Sequence, residues 1–446
     1  MAKVIRMPDG SAAKRAKPLR AMLRSFTVQS KAGFLRIDPG ARHALNIRAA
    51  QHRPMIELFY FDAGGGHRSA STALLQVITQ SYPQWQVTLV NLQELLQDID
   101  PVHRLSKFQS QDVYNAMLKR GWTGATTVIL RALQQGIRAL SPLMEMQLRR
   151  HWQQSKPDLV VSLIPNFNGV MFRALRDVLP TVPYITVMTD LADSPPRFWQ
   201  EAQDQYLVCG TEKAMRQARA IGYRPNRIFR VSGMVLKPQF YQSVDPCAVL
   251  TRQAIGLNDA RPVALIMFGG YSADTALQIV HTLRDDHPSV QTIVMCGHNE
   301  ALRRKLQGID GCHAVGFTSD VPSYLRLADF FIGKPGPGSI SEALHIGLPV
   351  IVERTRKTMT QERYNTVWIE EQKIGIVVTG FDKISSAVEK MLRRNVLARF
   401  RANAARLDNQ ALFEIPRIFD QILADHSAAA HAVAVSAAIR PRVEAG

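Results

Sequence analysis

Beyond the first fifty residues, short apolar runs alternate with segments whose apolar positions recur every three or four residues. The runs at 55–61, 86–91, 158–164, 184–189 and 205–209, with a shorter one at 227–231, carry few charges. That composition predicts parallel strands covered on both faces. Segments 70–80 and 170–178 have helical spacing and predict the crossover helices that parallel strands need. A stretch at 236–258 holds Pro238, Pro246 and Gly256 and reads as a linker. The rhythm then restarts, with strands predicted at 263–268, 291–296, 312–315, 330–332, 349–352 and 375–378. A chain of 446 residues exceeds one typical core. The expected class is therefore α/β, with two doubly wound domains at 54–240 and 255–400 whose strand carboxyl ends face a common cleft.

Three segments depart from the rhythm. Residues 1–53 are basic and weakly periodic, and are expected to form a partly disordered arm. Residues 105–152 mix Trp122, Ile137, Leu140, Leu143, Met144 and Met146 with Lys119, Arg120, Arg138, Arg149 and Arg150. They predict a helical insert, either an ordinary packed helix pair or a surface for an anionic bilayer. After Asp425 the chain is Ala-rich without a polar face, so 425–446 is expected to be a loose tail.

Charge sharpens the picture of the arm. The formal charge is +18, and residues 1–53 hold twelve Lys and Arg against only Asp9 and Asp38. Such an arm fits a polyanion, an anionic membrane or plain solvation. No zinc-type pairs, recognition-helix pattern or aromatic RNA motif accompanies it, which disfavours a nucleic-acid binder. No run of eighteen apolar residues and no secretory signal core is present. Cys209, Cys247, Cys296 and Cys312 are scattered and read as reduced thiols. The expectation is a cytoplasmic protein, peripheral at most to a membrane.

Candidate chemistry gathers in a few loops. Asp62-Ala63-Gly64-Gly65-Gly66-His67 follows the first strand and opens a helix. Glycines let the backbone bend and approach another molecule, the helix start favours an anionic or polar ligand, and a histidine there can accept a proton. A second loop, Lys334-Pro335-Gly336-Pro337-Gly338-Ser339-Ile340-Ser341-Glu342, follows the strand at 330–332. Gly336, Gly338 and the helix start can cradle a pyrophosphate, although neither a Walker pattern nor a dinucleotide fingerprint is present. Ser339-x-x-Glu342 fits a capping box, which the residues alone favour over the other reading, a carboxylate for ribose hydroxyls. Gly269-Gly270 makes another tight turn after a strand. Gln361, Glu362 and Asn365 fall within little more than one helical turn and suit sugar hydroxyls, or simply an exposed helix start.

Taken together, from about Met55 to Ile422, these motifs resemble the monogalactosyldiacylglycerol synthase group of glycosyltransferase family 28. The matching stretches are Asp62–His67, Thr189-Asp190, Lys334–Glu342 with Leu344, Gly347, Leu348 and Pro349, and Gln361-Glu362-x-x-Asn365. The resemblance implies a GT-B fold of two Rossmann-like domains, with a last helix near 401–424 crossing back to the first domain. It implies inverting transfer of a hexose, galactose or glucose, from UDP-galactose or UDP-glucose to diacylglycerol. The UDP-sugar is then a co-substrate, and neither cofactor nor metal is expected. On this reading His67 would be the general base, with Gly64, Gly65, Gly66, Thr189 and Asp190 on the acceptor side. Gly336, Gly338 and Ser339 would surround the diphosphate, Glu342 would hold the ribose, Phe317 would sit by the uracil, and Gln361, Glu362 and Asn365 would hold the sugar. Gly269 and Gly270 would face the donor as well. The chain departs from the plant-type pattern at Pro195, Ile164, Tyr271 and Ser272. A UDP-sugar 2-epimerase of the same fold, or transfer to another lipid acceptor, is the alternative. Anionic membrane lipids are the expected partners of the arm and the insert, at the cytoplasmic face of the inner membrane.

Overall fold

The computed structural model describes residues 52–62, 66–97, 126–242, 249–268 and 273–439. The arm to residue 51, Gly64, Gly65, Gly269, Gly270, Tyr271, Ser272, Cys247, the first part of the insert and the end of the tail lie outside the described residues.

Two six-stranded sheets carry the fold, and every strand pair in both is parallel. The first comprises β1 (Met55–Tyr60), β2 (Gln86–Asn91), β3 (Leu159–Ser162), β4 (Tyr184–Val187), β5 (Tyr206–Cys209) and β6 (Ile228–Arg230), in the order β2-β1-β3-β4-β5-β6. The second comprises β7 (Val263–Met267), β8 (Gln291–Gly297), β9 (Cys312–Gly316), β10 (Phe330–Gly333), β11 (Val350–Glu353) and β12 (Gly375–Val378), in the order β12-β11-β10-β7-β8-β9. Each sheet reverses direction once, between β1 and β3 in the first and between β7 and β10 in the second. Those reversals open the crevices at strand carboxyl ends where open sheets bind ligands.

Alternation along β1 shows why these runs become strands. Ile56 and Leu58 face a layer formed by Ala70, Ala73, Leu74 and Val77 of α1 (Gly66–Ser81). Phe59 faces the opposite layer, with Leu148 and Trp152 of α2 (Thr126–Ser155). Fully burying side chains of this size stabilises by about 1.5–3 kcal/mol each, and Leu58→Ala should cost about 2–5 kcal/mol through the cavity it leaves. The second sheet is covered in the same way by two apolar layers.

The described part of the insert packs one of its faces as an ordinary helix. Ile137, Met144, Leu148 and Trp152 of α2 pack into the core, and buried Glu57 on β1 receives Trp152 Nε1 at 3.0 Å and faces His151 Nε2 at 3.0 Å. The opposite face leaves Leu143 and Met146 exposed beside Arg138 and Arg150.

The tail differs from expectation. The final helix, α6 (Ala411–Ile439), runs well past Asp425 instead of ending near Ala424. Alanine is the strongest helix former and needs no polar face to continue a helix already nucleated. Leu412, Ile415, Phe419 and Ile422 bury in the first domain's core against α1, so this helix does return to the first sheet. Its entry is fixed by Asn409 Nδ2 donating to the Met234 carbonyl at 2.9 Å, and by Glu414 accepting from the Ser232 amide and hydroxyl at 2.7 and 2.9 Å.

Candidate active site

On the first domain, the loops after β1, β3 and β4 meet beside the reversal point. His67 sits in the first turn of α1, with Thr189 Oγ1 3.1 Å from its Nδ1. The Leu163 carbonyl, just past β3, also bonds to the ring. Burial is the main influence and lowers the imidazole pKa to about 4, only partly opposed by Leu163. The position adds to this, since a helix N-terminus disfavours a cation and the first turn of α1 has no acid. The neutral ring keeps one lone pair. That is the electronic state of a base.

Asp190 is buried and accepts Trp199 Nε1 at 2.8 Å. Burial raises its pKa to about 7 against that hydrogen bond; Glu362 pushes it further up and Lys334 pulls it down. Trp199 is fully buried, and its ring centroid lies 5.8 Å from that of His67. Its amide donates to Asp193 Oδ1 at 2.6 Å, and its carbonyl accepts Nδ2 of Asn168, the first residue of α3 (Asn168–Val178), at 3.1 Å. Asp193 also takes the amide of Arg197, a residue at φ +64°, and so fixes the turn that presents Trp199. At the mouth, Arg68 pairs with Asp62 at 3.1 Å in an exposed contact, which contributes little to stability.

On the second domain, β10 ends at Gly333, where a Cβ would lie 2.5 Å from the Met267 carbonyl oxygen of β7. Only glycine permits that approach. The following loop is held from α5 (Arg363–Gln372) and the turn before it: Lys334 Nζ donates to Glu362 Oε1 at 2.7 Å, and Asn365 Nδ2 donates to the Pro335 carbonyl at 2.7 Å. Gly336 is the N-cap of α4 (Pro337–His345) and makes no side-chain cap. The capping-box reading of Ser339 and Glu342 is therefore overturned, because both already lie inside the helix. The amides of Gly338 and Ser339 have no partner among the described residues, as expected for an uncapped first turn. Gly336 has φ −71° and ψ 134°, open to any residue, and a Cβ on Gly338 would meet nothing within 4 Å. The fold does not require glycine there; the open space beside the amides is what its smallness preserves.

Glu342 projects from α4 with its carboxyl pKa raised to about 7 by burial, while Lys237 acts in the opposite sense. Gln361, Glu362 and Asn365 come together but face different ways. Glu362 is committed to Lys334, and Asn365, fully buried, positions the 334–338 loop through Pro335. Gln361 Oε1 and Asn365 Oδ1 are buried without a hydrogen-bond partner among the described residues. Phe317, beyond β9, is 68% exposed and stacks on His298 with centroids 4.0 Å apart. Gly66 begins α1 with open space at its Cβ position. Among the described residues no three His, Cys, Asp or Glu side chains gather as metal ligands.

The two sides belong to one cleft. Asp190 of the first domain lies within the electrostatic reach of Lys334 and Glu362 of the second, and Ser194 Oγ donates to the Thr360 carbonyl at 3.1 Å. Sequence reasoning assigned no role to Lys334, Trp199, Ser194 or the Leu163 carbonyl. Lys334 carried a signal, being a cation flanking a glycine loop. A backbone carbonyl carries none.

Residues 67–235 match the family described as monogalactosyldiacylglycerol (MGDG) synthase, and residues 264–422 match the glycosyltransferase family 28 C-terminal domain. The chain is similar to the chloroplastic monogalactosyldiacylglycerol synthase of Spinacia oleracea, 28% identical over 386 residues, covering 81% of this chain and 71% of that one. It is similar to the processive diacylglycerol beta-glucosyltransferase of Bacillus subtilis (strain 168), 27% identical over 259 residues, covering 56% and 65%. Among solved structures, Acinetobacter baumannii MurG matches with TM-score 0.52 at 12% identity, covering 82% of this chain and 100% of that one. A UDP-N-acetylglucosamine 2-epimerase matches with TM-score 0.50 at 12% identity, covering 80% and 92%. At such identities the structural likeness speaks for the fold alone, which is GT-B.

Proposed function

Since the chain belongs to the monogalactosyldiacylglycerol synthase group of glycosyltransferase family 28, we propose that it transfers a hexose, galactose or glucose, from a UDP-sugar to the free hydroxyl of 1,2-diacylglycerol with inversion. The observation that carries this reading is the cleft itself: an imidazole lone pair on one lip and the uncapped first turn of α4 on the other, joined through Asp190.

The acceptor oxygen attacks the anomeric carbon while its proton passes to His67, whose ring Thr189 and the Leu163 carbonyl orient. The bond from that carbon to the UDP oxygen breaks, and its electron pair leaves with the diphosphate. The growing negative charge is met by the Gly338 and Ser339 amides, the α4 dipole and Lys334. Gly336 keeps the loop close to the diphosphate, Glu342 takes the ribose hydroxyls, and exposed Phe317 offers a face to the uracil. The unpartnered acceptors of Gln361 and Asn365 suit sugar hydroxyls, which donate hydrogen bonds. The reaction as written uses no resident metal or cofactor.

No described helix is long and apolar enough to cross a membrane. The exposed face of α2, with Leu143 and Met146 beside Arg138 and Arg150, fits peripheral docking on an anionic leaflet, with the basic arm adding attraction. The cytoplasmic face of the inner membrane is the proposed location. Incubation with labelled UDP-galactose or UDP-glucose over diacylglycerol vesicles tests the whole reading. Label in a glycosyl-diacylglycerol is expected; a free epimerised sugar nucleotide without labelled lipid would overturn it.

A further inference from the structure

At the start of α3, Asn168 buries a side-chain amide that does nothing for its own helix. An asparagine near a helix start ordinarily spends its oxygen on the free amides of the first turn. Here the N-cap is Phe167, without a side-chain cap. Both donors and both lone pairs of the Asn168 amide are taken up elsewhere. Nδ2 donates to the Ile164 carbonyl at 3.0 Å and to the Trp199 carbonyl at 3.1 Å. Oδ1 accepts the Tyr184 hydroxyl at 2.9 Å and the Thr186 hydroxyl at 3.1 Å, both on β4. The two carbonyls can only accept, so the amide cannot turn over without facing them with its own oxygen. Its orientation is fixed.

Those two carbonyls stand directly behind the proposed acid–base pair. Ile164 follows Leu163, whose own carbonyl bonds to the His67 ring. Trp199 gives its indole N–H to Asp190 and sets its ring 5.8 Å from that of His67. With the Trp199 amide held by Asp193 Oδ1 and its carbonyl by Asn168, that residue is tied at both ends. The same two loops meet once more, where the Asn166 amide donates to the Phe198 carbonyl at 2.6 Å. The Asn168 carbonyl is itself engaged, accepting Gln203 Nε2 at 3.0 Å. Packing alone would be served as well by an apolar side chain of the same shape, whose neighbours needed no partner. The amide is there for what it joins: the loop after β3, strand β4 and the turn that presents Trp199.

We propose that Asn168 is a positioning residue for the transfer, one buried amide that sets both the Leu163–Ile164 segment behind His67 and the Trp199 indole that meets Asp190. It acts through those groups and belongs to neither the donor nor the acceptor positions. Its kinetic consequences rest on the proposed function; its hold on the Trp199 indole does not. Burial first, then Glu362 and Asp193, push the Asp190 pKa up, while the Trp199 hydrogen bond and Lys334 hold it down. Loss of Asn168 should free the indole and leave the other four influences in place.

Asn168→Leu in the full chain nearly keeps the volume and removes all of these bonds. Its kcat should fall about ten- to a hundredfold, with the UDP Kd unchanged in equilibrium binding because the donor loop belongs to the other domain. The limb of the pH profile at about 7 should move upward by about one pH unit, since Asp190 loses the hydrogen bond that favours its charged form. A second readout needs no substrate. With isotopically labelled tryptophan, the indole N–H resonance of Trp199, identified by its loss in Trp199→Phe, should move as Asp190 ionises in the native chain and stand still in Asn168→Leu. Asn168→Ala, whose vacated space admits water, takes its place if Asn168→Leu does not fold. Lower kcat with the pH limb and the indole titration unmoved would leave Asn168 a packing role and overturn the proposal, as would native turnover in both variants. A native chain that makes no glycosyl-diacylglycerol would count against the proposed function, and the indole titration would then decide the positioning by itself.

Discussion

The two lips of the cleft handle charge by opposite means. On the first domain His67 and Asp190 are withdrawn from water, and each is pushed toward its neutral form. On the second, Lys334 and Glu362 form an ion pair, and the amides at the start of α4 stand free. Desolvation suits a lip that must move a proton, since a neutral imidazole is the form that accepts one. Fixed dipoles and a paired cation suit a lip that must hold a charge appearing on a leaving group, without reorganising when it appears. The difference assigns the acid–base work to one domain and the electrostatic work to the other.

Removing the proton acceptor should break that division most visibly. His67→Ala is expected to lower kcat by about two orders of magnitude or more with UDP affinity unchanged in equilibrium binding; near-normal turnover would remove His67 from the base role. The pH dependence is next. If ionised Asp190 stabilises the imidazolium forming near Trp199, kcat/KM should fall about tenfold per pH unit below its pKa of about 7. His67, at about 4, should add a further limb only below that. Asp190→Asn should abolish the upper limb, and a limb that persists in the variant would sever Asp190 from the reaction.

Stability separates the same two groups. The His67 pKa falls on folding, so its contribution is full above 6.5 and is lost as pH drops toward 4. The Asp190 pKa rises on folding, so its contribution is full below 3.8 and is lost as pH rises through about 7. The two oppose each other, and Asp190→Asn should make stability climb more steeply between pH 4 and 6.5 in urea titrations.

On the opposite lip, Lys334→Ala removes the cation and strands Glu362, so the UDP Kd should rise about tenfold, and the pH limb set by Asp190 should move upward, because Lys334 holds that carboxyl's pKa down and Glu362 raises it. An unchanged UDP Kd would take Lys334 out of the electrostatic work. Asn365→Ala leaves the buried Pro335 carbonyl without its donor and should cost about 1–3 kcal/mol of stability. Smallest of all, Ser194→Ala removes one hydrogen bond across the cleft, worth about 1 kcal/mol, seen as a modest rise in the UDP-sugar KM.

Much of the fold could be read from the chain, and for a definite reason. Runs such as Leu159–Ser162 and Phe330–Gly333 are buried along their whole length, so they had to be apolar throughout. The tail at 425–439 was missed because helical periodicity looks for two unlike faces, and an alanine-rich helix end has only one kind of side chain. The glycine loops announced the site, but the capping box at Ser339 and Glu342 could not be judged without knowing where α4 begins. Trp199 illustrates the limit best: its sequence neighbours say nothing of a ring 5.8 Å from His67 and a hydrogen bond to Asp190.

The sequence by itself determined the twelve strands, the two sheets' common pattern and the segments that carry chemistry, because burial on both faces and backbone freedom at glycine are local demands on residue type. Only the tertiary structure decided which groups are charged and what faces what. The pKa values of His67, Asp190 and Glu342 are set chiefly by desolvation, and that depends on atoms brought together from strands and helices far apart along the chain.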